Sequence, residues 1–354
     1  MENSELRRDP ITGRWAIILM DEKIDFDKLL SSKSHRERSN EVKACQFCEG
    51  REDQTPSEIF ALRHPNTEPN APGWQVRVIP NKRPVLQIRG DIDNRAVGIY
   101  DVLNGIGAHE LLIEHPQHFV NIPDFPLEQM KGVLSTMQNR IVELKKDPRF
   151  RYIIVHKNYG EASGTTLEHA YSHIIALPVT PGRVKNELMA AKEYYSFKQR
   201  CIFCDVVRQE LEQKERIVAE DGNFLAFTPF ASRRPFEVWM LPEKHETFFE
   251  QNSNQGALAS MLITVMGKIR QMLKNPDYII TLHSGPNINV SRRRGYWKTL
   301  KSDFHWHLEV VPLLRSYTSF ELGSGFPINS VPPEIAARVL REETVTQLLR
   351  RMKV

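Results

Sequence analysis

The chain has 354 residues, 40% of them apolar and 26% charged, which suits a soluble globular protein of two packed domains and excludes a disordered or fibrous one. A formal net charge of +4 is too small for this length to mark a nucleic-acid binder, and no apolar run is long enough to cross a bilayer. The amino terminus mixes acidic and basic residues without a signal-peptide pattern, so the expected location is cytoplasmic.

In chain order, the charged stretch SSKSHRERSNEVK reads as a mobile loop and leads into CQFCEG at Cys45. An apolar run, HELLIEHPQH, reads as a buried strand ending at His118. Val133, Leu134, Met137, Ile141 and Leu144 then fall on one face of a helix that stops at DPRF. The strand YIIVH follows, and the His-rich strand HAYSHIIALP begins at His169. The polar segment KEYYSFKQR reads as a boundary, which divides the chain into domains 1–195 and 196–354.

The second part repeats the first. CIFCDV opens it at Cys201, FEVWMLPEKH ends at His245, and Leu258, Met261, Leu262, Val265, Ile269 and Leu273 make the matching helix. That helix stops at NPDY, the strand YIITLH follows, and HWHLEVVP begins at His305. A helix-plus-meander unit used twice predicts an α+β fold with an antiparallel sheet and packed helices in each half. A last helix is expected after Pro332.

Two Cys-x-x-Cys pairs in a reducing compartment favour metal over disulfides. The repeat supplies four soft or borderline donors twice: Cys45, Cys48, His118 and His169, then Cys201, Cys204, His245 and His305. Thiolates with imidazoles in a tetrahedron suit zinc, so two zinc ions per chain are expected. Four protein ligands leave no open position, which makes both structural. His109 and His115 compete for the place of His118, and the repeat alignment selects His118.

Several stretches resemble the galactose-1-phosphate uridylyltransferase family of the histidine triad superfamily. They are LRRDPITGRWAIIL, CQFCEGREDQTPSEI, WQVRVIPNKRPVL and HKNYGEASGTTLEHAYSHIIALP. The tail SFELGSGFPINSVPPEIAARVLRE is most similar to the plant-type relatives that act as ADP-glucose phosphorylases. The resemblance implies tandem histidine-triad-like domains and a zinc-dependent fold in carbohydrate and galactose metabolism. It also implies a nucleotidyltransferase of the UDP-glucose–hexose-1-phosphate uridylyltransferase type. A histidine would attack a nucleoside diphosphate sugar, release a sugar 1-phosphate and carry the nucleotidyl group to a second phosphate. Family members are commonly dimers, so a homodimer is the expectation, with no nucleic acid or membrane partner. A nucleotide-sugar or dinucleoside-polyphosphate phosphorylase or hydrolase is the enzymatic alternative, and a catalytically silent nucleotide-binding protein the non-enzymatic one.

By the same resemblance Asn81 faces the ribose, and Asn158, Gly160, Ser163 and Gly164 form a small-residue turn whose amides neutralise phosphate oxygens. The family's nucleophilic histidine is replaced here by Tyr171, and the glutamine that usually follows by His173. A phenol with a pKa near ~10 needs strong activation, so the nucleophile role does not pass to Tyr171. The second half offers His305, His307 and Glu309 on one strand face. DFHWHLEVVP resembles the general histidine triad motif, and that resemblance implies the metal for His305 and the chemistry for His307. Arg292, Arg293 and Arg294 of SRRRGYWKTLKSD are candidates for a diphosphate clamp. In the uridylyltransferases the second-half histidines serve another metal, and Glu187, His283, His305 and His307 match that set. The second cysteine pair favours the thiolate site instead.

Overall fold

A computed structural model describes residues 4–20, 29, 45–165, 167–290 and 297–342. Fifteen strands are assigned among them, ten of which form one continuous sheet. The first half contributes β3 (Phe60–Arg63), β4 (Trp74–Pro80), β7 (Ala108–Ile113), β8 (Tyr152–Tyr159) and β9 (Tyr171–Leu177). The second contributes β10 (Ile217–Glu220), β11 (Phe224–Phe227), β12 (Val238–Pro242), β13 (Tyr278–His283) and β14 (His307–Pro312). Their order is β10-β11-β12-β14-β13-β8-β9-β7-β4-β3. Reading outward from the β8–β13 seam, each half lays down its strands in the same sequence. The repeat in the chain is therefore a repeat in the sheet, joined by antiparallel pairing from Tyr278–Tyr159 to Leu282–Val155.

Alternation along these strands sends side chains to two faces. On one face Leu112, Ile153, Val155, Ile174 and Ala176 of the first half meet Ile280, Leu308 and Val310 of the second. They pack beneath α1 (Leu127–Leu144) and α4 (Gln255–Met272), whose apolar stripes are those read from the sequence. The opposite face differs between halves. In the second half α2 (Gly182–Lys198) and α3 (Ile202–Gln213) cover it with Val184, Leu188, Ala191, Ile202, Phe203 and Val207. In the first half a smaller cluster of Cys45, Phe47, Trp74, Leu111, Ile113 and Tyr171 sits there.

The segment read as a domain boundary is the carboxyl-terminal end of α2, and position 195/196 falls inside that helix. The residues preceding the first cysteine pair include the hairpin β1 (Ser4–Arg8) and β2 (Trp15–Leu19), and β15 (Ile328–Asn329) pairs parallel with β2. The hairpin thus lies on the second half, where Arg7 is bound by Glu334 of the final helix at 2.8 Å. That helix, Pro333–Arg341, starts where the sequence placed it. The hairpin β5 (Arg95–Val97) and β6 (Tyr100–Val102) stands apart from the main sheet. The segment SSKSHRERSNEVK lies outside the described residues. Among those described, no helix is long and apolar enough to cross a membrane.

Candidate metal centres and nucleotide site

The first cysteine pair precedes a 3-10 turn and meets two histidines from the main chain's far reaches. Cys48 Sγ lies 3.5 Å from His118 Nδ1, Cys45 Sγ 3.7 Å from His169 Nδ1, and the two Nδ1 atoms 3.4 Å apart. The edges of a tetrahedron with metal–sulfur bonds of ~2.3 Å and metal–nitrogen bonds of ~2.0–2.1 Å are about 3.3–3.8 Å long, so these donors fit zinc. His169 Nε2 donates to the His115 carbonyl at 2.7 Å, which turns the Nδ1 lone pair toward the thiols. His115 itself accepts the Gln117 amide and stacks on Phe125, away from the cysteines.

In the second half Cys201, Cys204, His245 and His305 gather likewise. Cys204 Sγ is 3.3 Å from His245 Nδ1 and 3.8 Å from His305 Nδ1. His245 Nε2 donates to the Lys301 carbonyl at 3.0 Å, the counterpart of the His169 contact. Cys201 first, and then hydrogen bonds from His245 and His305, hold the Cys204 thiol well below the usual thiol range, in spite of its burial. A thiolate stabilised there is the form a metal requires.

A third group joins Glu187 of α2, His283 of β13, and His307 and Glu309 of β14, all buried. His283 Nδ1 donates to Glu187 Oε2 at 2.7 Å, and Glu309 is bound by Arg183 and, at 2.7 Å, by Arg233. Burial pushes the Glu309 carboxyl up, but Arg233, His283 and Arg183 hold it well below the usual carboxylate range. The two arrangements weighed for the second half are therefore not alternatives. His305 belongs with the cysteines, while Glu309 takes the fourth place beside Glu187, His283 and His307.

This placement corrects the catalytic role expected of His307. Its side chain is 0% exposed, lies between Trp239 at 5.0 Å and His283 at 4.6 Å, and turns Nε2 toward Glu187. The α2–α3 layer closes this face, so a phosphorus atom has no approach to the ring.

The matching face of the first half carries a different set. His109 of β7, His156 of β8 and His173 of β9 lie side by side with Asn81, which follows β4. His109 Nε2 is 2.9 Å from His173 Nδ1, and the His156 ring stacks on His173 at 4.7 Å and 11°. Asn81 Nδ2 sits 3.2 Å from His109 Nε2. All three imidazoles are held neutral: burial, then the charges of neighbouring histidines, lowers His156 to about 4 and His173 to about 3, and burial lowers His109. Tyr171 is only 7% exposed, and its hydroxyl is 2.7 Å from Thr165 Oγ1.

The small-residue turn is differently engaged than expected. Its amides at Ala162, Ser163 and Gly164 already reach Asp277 Oδ2, the Gly160 carbonyl and the Glu161 carbonyl, at 2.8, 3.1 and 2.9 Å. Asn158 pairs with Ile279 across the seam, and Ser163 Oγ donates to the Gly160 carbonyl. None of these three amides is free for a phosphate. Arg292, Arg293 and Arg294 lie outside the described residues. A cavity of about 950 Å³ between the amino-terminal hairpin and α3 contains Arg7 and Arg216, but both are paired with carboxylates.

Sequence reasoning found the cysteines and their histidines because the repeat states them twice. It missed His109 and His156 as companions of His173, because each is a lone histidine on its own strand. The available signal was strand phase: His156 and His173 fall on the same face as Tyr171 once β8 and β9 are paired.

With the geometry established, comparison with known proteins is decisive. An ADP-glucose phosphorylase of Arabidopsis thaliana is 31% identical over 349 residues, covering 98% of this chain and 94% of that protein. The chain belongs to the galactose-1-phosphate uridylyltransferase family. Residues 187–353 match its description "Galactose-1-phosphate uridyl transferase, C-terminal domain", and residues 93–179 match the amino-terminal domain of a family of unknown function (DUF4931). The Thermotoga maritima galactose-1-phosphate uridylyltransferase is 30% identical over 248 residues, 68% of this chain and 75% of that one. Among solved structures, the Arabidopsis ADP-glucose phosphorylase with bound ADP-glucose superposes with a TM-score of 0.78 at 29% identity, covering 97% of this chain and all of that one. A uridylyltransferase superposes with a TM-score of 0.71 at 27% identity, covering 95% and 97%. The α+β, histidine-triad-like fold expected from the sequence is thus the fold of the family.

Proposed function

We propose that the chain transfers a nucleotidyl group from a nucleoside diphosphate sugar to a phosphate acceptor, with inorganic phosphate favoured over a sugar 1-phosphate. The observation that carries this reading is the end-to-end relation to an ADP-glucose phosphorylase, which extends through the carboxyl-terminal tail. The neutral imidazoles beside Asn81 support it, because an uncharged imidazole is the nucleophilic form that phosphorus chemistry uses. Zinc in the two cysteine-based sites would hold the first-half strand β9 and the second-half strand β14 in register. Its role is structural, since four protein donors fill each tetrahedron.

The test is release of glucose 1-phosphate from ADP-glucose in the presence of phosphate, against release from UDP-glucose in the presence of galactose 1-phosphate. Phosphate-dependent release from ADP-glucose is the expected result. Faster turnover of the UDP-glucose pair would overturn the acceptor and make the chain a hexose-1-phosphate uridylyltransferase. No release from either pair would leave the nucleotide-binding reading in its place. Metal analysis should find about two zinc ions per chain, and fewer would remove one of the two cysteine sites.

A further inference from the structure

From the face of β7, β8 and β9 we infer that the phosphorus-attacking residue has moved two positions along β9, from the place held by Tyr171 to His173, with His109 and His156 as its positioning residues. This rests on the reading of the chain as a nucleotidyl-transferring enzyme and deepens it.

Residues two apart on a strand share a face and lie about 7 Å apart along it, so the move keeps the attacking atom on the same surface and shifts it by one side-chain pair. The new position is the better furnished. His173 Nδ1 faces His109 Nε2 at 2.9 Å, which leaves Nε2 as the ring nitrogen outside that contact. His156 lies flat on the ring at 4.7 Å and 11°, which fixes its tilt. Asn81 Nδ2 lies 3.2 Å from the same His109 Nε2 that faces His173, so the residue expected to face the ribose adjoins this pair of imidazoles. The old position is committed elsewhere: the Tyr171 hydroxyl meets Thr165, and its ring packs edge-on against Phe47 in the cluster around Cys45. His307, the equivalent residue of the second half, is sealed beneath α2 and α3.

The step balances without a co-reactant. The lone pair of His173 Nε2 forms a bond to the α-phosphorus, and the bond from that phosphorus to the bridging oxygen breaks. The sugar 1-phosphate leaves with that oxygen and its electron pair. Attack requires the ring proton on Nδ1, donated to His109 Nε2, where the positive charge of the substituted ring is stabilised. His109 then carries its own proton on Nδ1 and gives up the 3.3 Å contact from the Val85 amide. An oxygen of the acceptor phosphate then attacks the same phosphorus, and the nitrogen–phosphorus electron pair returns to Nε2.

Quenching the zinc-loaded full chain during turnover of α-labelled ADP-glucose, then mapping the label by mass spectrometry, tests this directly. An acid-labile adduct on His173 is expected, and an adduct on any other residue overturns the inference. His173→Asn should lower turnover by at least ~10³-fold, while retaining the wild-type melting temperature and nucleotide binding. His109→Gln should lower kcat ~10–100-fold with KM little changed, the mark of a group acting in the transition state. His173→Gln combined with Tyr171→His should carry the adduct on residue 171. Wild-type turnover that survives His173→Asn would overturn this assignment while leaving the proposed function intact. Failure to turn over any nucleotide sugar would overturn both.

Discussion

The three neighbouring imidazoles tie stability to pH through a sign that follows from their burial. His156 titrates at about 4 in the folded chain against an ordinary value of 6.5, so between these values the unfolded chain binds a proton that the folded chain does not. Stability contributed by the neutral ring is complete above pH 6.5 and is lost as the pH falls toward 4. For one group the loss is on the order of 3 kcal/mol. His156→Phe keeps a flat ring against His173 and cannot titrate. Urea unfolding from pH 7 to 4.5 should therefore show a shallower loss in that variant than in the wild type, and parallel profiles would sink the assignment. Gly160 supplies a second test. Its φ of 81° and the Asp277 carboxylate, which would lie 1.8 Å from an added Cβ, leave no room for a side chain. Gly160→Ala should cost about 2–4 kcal/mol in a denaturant titration, with part of it recovered by Asp277→Ala. At this scale the sequence disclosed what it stated twice, the cysteine–histidine sets. It did not disclose that His307 and His173 occupy corresponding faces, the first fully buried and the second only partly, since that depends on which helices cover them.

Elements were legible where periodicity was strong and opaque where a neighbour's chemistry replaced it. The stripes of α1 and α4 and the apolar strands β7, β8, β12 and β13 follow directly from residue spacing. Helix α2 does not, because one of its few buried positions is the charged Glu187, whose hydrogen-bond partner is His283 on a distant strand. A similar long-range pair fixes α1 to the sheet. Arg140 donates to both Glu110 oxygens, at 2.8 and 2.7 Å, from within the apolar layer between helix and β7. Removing one partner leaves the other charge buried, so Glu110→Ala should destabilise by about 3–5 kcal/mol. Replacing both, Glu110→Leu with Arg140→Met, should restore most of that loss, because the pair's own desolvation cost disappears with it. Equal losses in the single and double variants, measured by urea unfolding, would show that packing rather than the unpaired charge sets the cost.

The whole molecule is held by a seam that no local pattern announces. Antiparallel pairing of β8 with β13 makes one sheet of the two repeats, and the layers on either side of it cross the same line. Gln138 of α1 donates to the carbonyls of Phe249 and Asn252, Lys145 to that of Gly285, and Asn287 returns to those of Lys145 and Phe150. The amino-terminal hairpin adds a tie in the opposite direction, since it rests on the second half through β15 and Glu334. A cut at the compositional boundary would therefore open the β8 edge, expose one flank of α1 and strand the hairpin away from its support. An unpaired central strand is also a template for association. The expected outcome is one cooperative thermal transition for the zinc-loaded chain, and an aggregating product when residues 1–198 are expressed alone. Two well-separated transitions, or a soluble and cooperatively folding 1–198 fragment, would mean that the seam joins two independent domains instead of completing one.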